Sequence, residues 1–451
     1  MKNFWNTLEM SLREVSSGFC RAETTKQSQS LKLNVFFRFI LLLFISSNVF
    51  ALTLTGNQTR LTNPSAMPGI LTSQFSSAAN LLVWIDARQN AANTDCVYVS
   101  FLNDVSHTEY LIDSVDSEIA EIKTDGRYIA YTVFTETGQT LRIADTINIA
   151  APAIKEITGN FIEGFDIGSG VLVFRESANY DLSQPQTIYA VSLSDPSLTK
   201  HKIKEFLAND YIYTNIALDS RTIVWSGEYY DDVNSIYSNY LDIADINVLT
   251  NPIVVRNYLP KNSQDRYSAW INYLDISNNW LIARGTYNDT ECVFGLQNFK
   301  TPSAWSFVQI RSLQNYDIKP MIDYPFVVWA ESTNNQPGLM EYTEPSNCII
   351  GAVLLDNGWA PTSIIKNQTQ PDETIASAVI NNGSVIWSAA GETSSGIFTD
   401  NLQLQCGDNG YMHGDLNKDC KIDFQDLAKF SENWLACTNP NGDTCLLGEI
   451  F

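Results

Sequence analysis

Two or three aliphatic residues followed by a large one recur through most of this chain, usually just after a polar or Gly/Asn turn. The phrase stands at Leu82-Val83-Trp84, Ile129-Ala130-Tyr131, Leu172-Val173-Phe174, Ile223-Val224-Trp225, Leu281-Ile282-Ala283-Arg284, Val327-Val328-Trp329 and Val385-Ile386-Trp387, seven copies about 50 residues apart. An unbroken apolar run this short reads as a strand buried on both faces, whereas the strands of a two-sheet sandwich alternate apolar with polar. The turns Asp125-Gly126, Gly168-Ser169-Gly170, Asp219-Ser220, Ser277-Asn278-Asn279 and Asn381-Asn382-Gly383 supply residues that tolerate tight backbone angles. Further short strands follow at Val97-Tyr98-Val99, Leu141-Arg142-Ile143, Ile188-Tyr189-Ala190, Ile236-Tyr237, Val293-Phe294 and Ile397-Phe398. Each copy has room for about four strands, and radial packing of such units leaves only short, protected edges. The pattern predicts an all-β, seven-bladed propeller over residues 52–405, with six or eight blades if a copy is degenerate or unrecognised. Residues 52–75, which contain Leu52-Thr53-Leu54-Thr55, are expected to close the ring. The fifth copy departs from the wording, with Arg284 where an aromatic is expected.

Leu82-Val83-Trp84-Ile85-Asp86-Ala87-Arg88, with Tyr98 ten residues on, resembles the phrase of TolB-like β-propeller repeats in exported bacterial proteins, and Ile223-Val224-Trp225 with Ile236-Tyr237 echoes it. The resemblance covers about 350 residues and implies the fold; for function it implies only a range from binding and scaffolding to polysaccharide lyase activity. An acidic residue tends to follow the phrase, at Asp86, Glu176, Glu228, Glu331 and Glu392. Such a series is either a rim of carboxylates for cations or sugar hydroxyls, or a hydrogen bond needed in every blade; repetition favours the structural role.

Composition narrows the function. The 451 residues carry a net charge of -22, which repels nucleic acid and anionic lipid. Basic Lys32 and Arg38, the apolar run Phe39 to Ile45 and the sequence Val49-Phe50-Ala51 read as a signal peptide over residues 1–51, cleaved after Ala51, with no permanent membrane span expected. Export to an extracellular or cell-surface location makes disulfides available to Cys406, Cys420, Cys437 and Cys445; pairing Cys420 with Cys437 and Cys406 with Cys445 is preferred among the three arrangements, all of which stay open. Cys96 and Cys292 hold the same place in the first and fifth repeats and are expected not to bond.

Only His107, His201 and His413 exist, too few and too dispersed for a histidine metal site in the propeller, and no nucleophile elbow is present. Exposed aromatics, with Tyr229, Tyr230 and Trp359 as candidates, could stack on carbohydrate.

The most specific site lies in residues 406–451. Asp415, Asn417, Asp419, Lys421 through its carbonyl, Asp423 and Asp426 take positions 1, 3, 5, 7, 9 and 12 of an EF-hand calcium loop, a spacing that wraps hard oxygen ligands around one Ca2+. Phe424 to Leu435 should follow as a helix with Leu427, Phe430, Trp434 and Leu435 on one face. Loop and helix together resemble one repeat of a type I dockerin, which implies calcium binding and a cohesin-like partner. Two departures stand out: the family carries two repeats, and Cys420 occupies position 6, where glycine is usual. The tail is therefore either a docking module or a disulfide-stapled calcium-binding extension. The combined expectation is an exported, non-catalytic binding or scaffold propeller with a dockerin-like calcium tail. The alternative is a carbohydrate-active enzyme, a glycoside hydrolase or polysaccharide lyase with a polysaccharide as partner.

Overall fold

The computed structural model describes residues 50–63, 74–88, 94–135, 138–159, 161–177, 185–206, 210–212, 215–231, 236–260, 269–288, 290–313, 318–331, 347–355, 358–359, 362–367, 374–390 and 395–406. The expected calcium loop, the helix expected after it, the expected pairing of the C-terminal cysteines and most of the expected signal peptide fall outside them. Within the compact unit Ala51–Leu404, seven antiparallel sheets each carry one copy of the aliphatic phrase. Numbered in chain order, the blades draw on residues 75–115, 119–159, 161–206, 210–258, 269–312, 321–367 and 374–406; blade 1 runs through Phe75–Ala78, Leu81–Asp86, Asp95–Phe101 and Tyr110–Val115 from inside to outside, and blade 3 through Phe161–Gly168, Val171–Ser177, Gln186–Ser192 and His201–Phe206. The first strand of every sheet touches the first strand of the next, from Phe75–Ala78 round to Thr374–Asn381 and back, so the sheets form a closed propeller.

The phrase itself is the second strand of each blade. Its residues are buried on both faces because each side of a blade packs on a neighbour: Val83 faces a cluster shared with Ile129 and Tyr131 of blade 2, while Leu82 and Trp84 face Ile386 and Ile397 of blade 7. Trp84, Trp225, Trp329 and Trp387 are all fully buried. Burying one such side chain stabilises by about 1.5–3 kcal/mol, so the repeated phrase supplies much of what holds the blades together.

Blade 7 is completed from both ends of the unit. Thr374–Asn381, Ser384–Ala390 and Gly396–Cys406 are joined on the outside by Phe50–Leu54, and Thr59–Arg60 adds a second short pairing to the same strand. Leu52, 2% exposed, packs among Val328, Ile365 and Trp387. The expected closing segment does close the ring.

Polar clasps at the inner ends lock each blade to the next. Asp125, Asp219 and Asp323, at the inner turns of blades 2, 4 and 6, accept backbone N–H groups of Gly170, Asn278 and Gly383 at 2.8, 2.9 and 3.4 Å. Blades 1, 3 and 5 use the residue two positions earlier: Ser76, Asp166 and Asp275 accept from Thr124, Leu218 and Ile322 at 3.3, 2.7 and 2.9 Å. Asn381 closes the circle by donating to the carbonyl of Ala79 at 3.0 Å. The turn acids and amides seen in the sequence thus cap a neighbouring blade as well as their own turn.

The fifth repeat needs a correction. Ser277 pairs with Trp280, as Gly168 pairs with Val171, which puts Ala283 and not Arg284 at the place of Trp84 and Phe174. Phe294 on the following strand lies opposite Ala283 and is itself fully buried, so the aromatic volume comes from the neighbouring strand.

Candidate functional site

The inner strands surround the propeller axis, and their side chains line its channel. Lys123, Asp166, Asp275 and Met321 occupy one level, paired with Ala130, Val173, Ile282 and Val328 of their blades' phrases. Glu121 lies in a β-bulge of Ile119–Thr124, and Tyr273 borders a similar bulge of Ala269–Ser277. Bulges of this kind re-aim side chains at an inner edge.

Lys123 Nζ sits 3.1 Å from Asp166 Oδ1 and 3.7 Å from Glu121 Oε1, joining blades 2 and 3. On the other side of the ring, Asp275 accepts N–H groups from Ile276 and Ile322, both at 2.9 Å, and the Tyr273 hydroxyl lies 3.3 Å from Met321 Sδ. The two halves interact across the channel. Burial alone would lower the Lys123 ammonium, but Asp166 and Glu121, with Tyr273, outweigh it and raise it. Burial raises Glu121 against the pull of Lys123 and Lys319. Burial also raises Tyr273, and pushes Asp275 up to about 7 even though two backbone N–H groups favour its ionised form. The inner strands therefore bring together a cation, two acids and a carboxyl that burial pushes up to about 7, drawn from blades far apart in sequence.

The rim carboxylates have a different role. Asp86, Glu176 and Glu331 stand two residues beyond the aromatic of their phrases, pointing into the gap between blades. Trp84 Nε1 donates to Asp86 and Trp329 Nε1 to Glu331, each at 3.0 Å. Arg88 pairs with Asp86, Lys200 with Glu176 at 2.8 Å, and Arg311 with Glu331 at 3.1 Å. Where that position is Gly227 or Ala389, the indole nitrogens of Trp225 and Trp387 have no partner among the described residues. These acids serve the packing of Trp and Arg and are not free for chemistry; Glu392 lies outside the described residues. Glu228, one residue further along, is raised by burial.

His107 lies in a surface turn of blade 1 with φ of 47°, and His201 begins the outer strand of blade 3. Cys96, Cys292 and Cys348 are buried and in no disulfide among the described residues. Cys348 pairs with Glu331 as Cys96 pairs with Asp86, so the equivalence read for blades 1 and 5 extends to blade 6. Of the aromatic candidates, Tyr229 is exposed and Tyr230 lies tilted against Tyr237 with ring centres 4.5 Å apart, whereas Trp359 packs edge-on against Trp280 at 5.5 Å. The predicted calcium ligands Asp415, Asn417, Asp419, Lys421, Asp423 and Asp426 lie outside the described residues. Among the described residues no group of His, Cys, Asp or Glu is placed to hold a metal, and no helix is long and apolar enough to cross a membrane.

No family model matches the chain, and no curated protein resembles it in sequence. Solved structures do resemble its fold. The β-propeller domain of the Trilobed protease from Pyrococcus furiosus is 12% identical, with 75% of this chain and 97% of that one covered and a TM-score of 0.46. A post-proline cleaving enzyme from Rickettsia typhi is 11% identical, with 76% and 53% covered and a TM-score of 0.49. Oligopeptidase B from Leishmania major is 10% identical, with 72% and 48% covered and a TM-score of 0.44. The chain thus spans about half the length of the two whole peptidases. The expectation of a non-catalytic scaffold, or alternatively of a glycoside hydrolase or polysaccharide lyase, is corrected at this point. These similar structures carry peptidase names. The rim carboxylates Asp86, Glu176 and Glu331, on which sugar chemistry would have drawn, are committed to Trp and to Arg or Lys partners.

Proposed function

We propose that this protein is a peptidase-related propeller whose axial channel takes up extended peptides. The observation that carries the reading is the mixed cluster of Glu121, Lys123 and Asp166 facing Tyr273 and Asp275 across the channel. A peptide presents carbonyl acceptors, amide donors and oppositely charged ends. Lys123 offers donors, Asp166 acceptors, and a carboxyl near neutrality such as Asp275 either donates or accepts. A lining of both signs suits such a chain better than a uniformly charged polymer. The channel is assigned to peptide capture, and the peptidase names belong to the fold-similar proteins.

Fluorescence anisotropy with fluorescein-labelled, unstructured peptides of about ten residues tests this, since binding in the micromolar range is readily measured. Saturable binding that weakens about tenfold in Lys123→Ala or Asp275→Asn is expected, a loss of about 1.4 kcal/mol. Absence of saturable binding, or equal binding by both variants, would overturn the reading.

The export signal, the TolB-like kinship and the calcium tail belong to the same proposal: a protein acting outside the cell, with Ca2+ held by Asp415, Asn417, Asp419, Asp423, Asp426 and the Lys421 carbonyl. Calcium titration of the full chain followed by circular dichroism should increase helicity, and an unchanged spectrum would refute the assignment.

A further inference from the structure

Among the described residues, exposed large apolar side chains are most numerous on blade 4. Tyr229, Tyr237, Val248, Ile253, Val255 and Tyr258 are exposed large side chains of blade 4, and Trp270 lies at the start of blade 5. Blade 4's second and third strands, Thr222–Asp231 and Ile236–Asp245, each run for 10 residues. Its outermost strand, Ile253–Tyr258, pairs with Ile236–Asp245 on one side and, among the described residues, ends the sheet on the other.

An unpaired edge is a template for another strand, and folded proteins normally protect it with outward charges. Blades 2 and 3 carry such charges: Glu156 is 48% exposed, two residues from Ile154 at 37%, and Lys202 and Glu205 are 58% and 53% exposed. The edge of blade 4 does not. Ile253, Val255 and Tyr258 are 65%, 49% and 58% exposed. Its one charge, Arg256, folds back across the sheet with its guanidinium 3.6 Å from the centre of the Tyr240 ring, bonding Asp242 through Nε and Nη2 and Asp210 through Nη2, each at 2.9 Å. The cation that could have guarded the edge is consumed by buried acids.

We propose that Ile253–Tyr258 is a docking edge that adds one strand from another protein, in an extended conformation. Free backbone groups at strand spacing select an extended segment, and Ile253 and Val255 select β-branched or aromatic residues at its alternate positions. The net charge of -22 favours a neutral or basic segment. Proline at its paired positions is excluded, because the ladder needs those N–H groups. This inference is independent of the channel.

The test uses Lys123→Ala protein, in which the channel is impaired, and a fluorescein-labelled hexapeptide Lys-Val-Thr-Val-Lys-Tyr. Saturable anisotropy is expected, weakened about tenfold in the Ile253→Lys/Val255→Lys double variant and abolished by N-methylating alternate peptide amides. Both substituted side chains are exposed, and an unchanged Tm is the control for folding. Equal binding by the double variant, no binding at all, or a wild-type dimer that the double variant converts to monomer would overturn the proposal; the last outcome would assign the edge to a second copy of this chain.

Discussion

Replacing Asp275 by asparagine removes a charge that the fold holds on the inner strand of blade 5 while keeping an oxygen able to accept the N–H of Ile322. The Asp275 carboxyl rises from 3.8 to about 7, chiefly through burial. At about 1.4 kcal/mol per pH unit the upper bound is about 4 kcal/mol. Asp275 is only partly buried and solvent screens its charge, so about 2 kcal/mol is the expected effect. The folded state holds this proton more tightly than the unfolded chain does. Asp275 therefore supports folding fully at pH below about 4, and that support is lost as pH rises to about 7. Asparagine does not titrate. Urea unfolding followed by tryptophan fluorescence at about pH 3 and about pH 8.5 should give the variant nearly wild-type stability in acid and about 2 kcal/mol more in base. Glu121 titrates in the same direction but is common to both proteins, so the difference isolates Asp275. Parallel stability profiles for the two proteins would refute the reasoning.

Other outcomes follow from the spaces between blades. Asp86→Ala leaves Trp84 Nε1 without an acceptor and strips Arg88 of one of its two carboxylates, and should cost about 3 kcal/mol in urea unfolding; a loss below about 1 kcal/mol would contradict that role. Ala389→Glu supplies the acid that blade 7 lacks beside Trp387, on the face where Arg60 bonds only main-chain carbonyls. It should add about 1 kcal/mol, and a lower Tm would show that the space is not equivalent to that around Glu331. At Gly227 a Cβ would lie 2.1 Å from the carbonyl oxygen of Tyr211 and 2.3 Å from the hydroxyl of Tyr240, so Gly227→Ala should destabilise by about 2 kcal/mol or more in the same assay. Burial pushes the Cys292 and Cys348 thiols up to about 11, and Cys96 is fully buried. Alkylation should spare all three in the native protein and modify them after unfolding, which peptide mass mapping reads directly.

The architecture was legible because burial on both faces leaves no room for polar residues, so Val83-Trp84 and Val385-Ile386-Trp387 announce their strands. The fifth repeat misled because its aromatic is supplied by the neighbouring strand: Ala283 fills the phrase position and Phe294 fills the space. The inner strands were harder to see. Met321–Asp323 and Ala217–Asp219 are 3 residues long, and their polar positions look like turn residues. Lys123, Asp166 and Asp275 meet only after the ring closes, and no local pattern brings residues so distant in sequence together. A retrospective signal exists, a polar or charged residue two positions before the turn in blades 1, 2, 3 and 5. It becomes meaningful only once the register is known. The loss of edge protection in blade 4 was equally hidden, because Arg256 reads as a guarding charge until its side chain is seen lying over Tyr240.

Peptide uptake by the channel is tested most directly by site-specific photo-cross-linking. With p-benzoylphenylalanine in place of Met321, which shares the level of Lys123 and Asp275, irradiation in the presence of a labelled unstructured peptide should give a covalent adduct that mass spectrometry locates at that residue. The same photoprobe at Val105, 94% exposed on the outer surface, should give none. Adducts at Val105 but not at Met321, or at neither, would contradict the account.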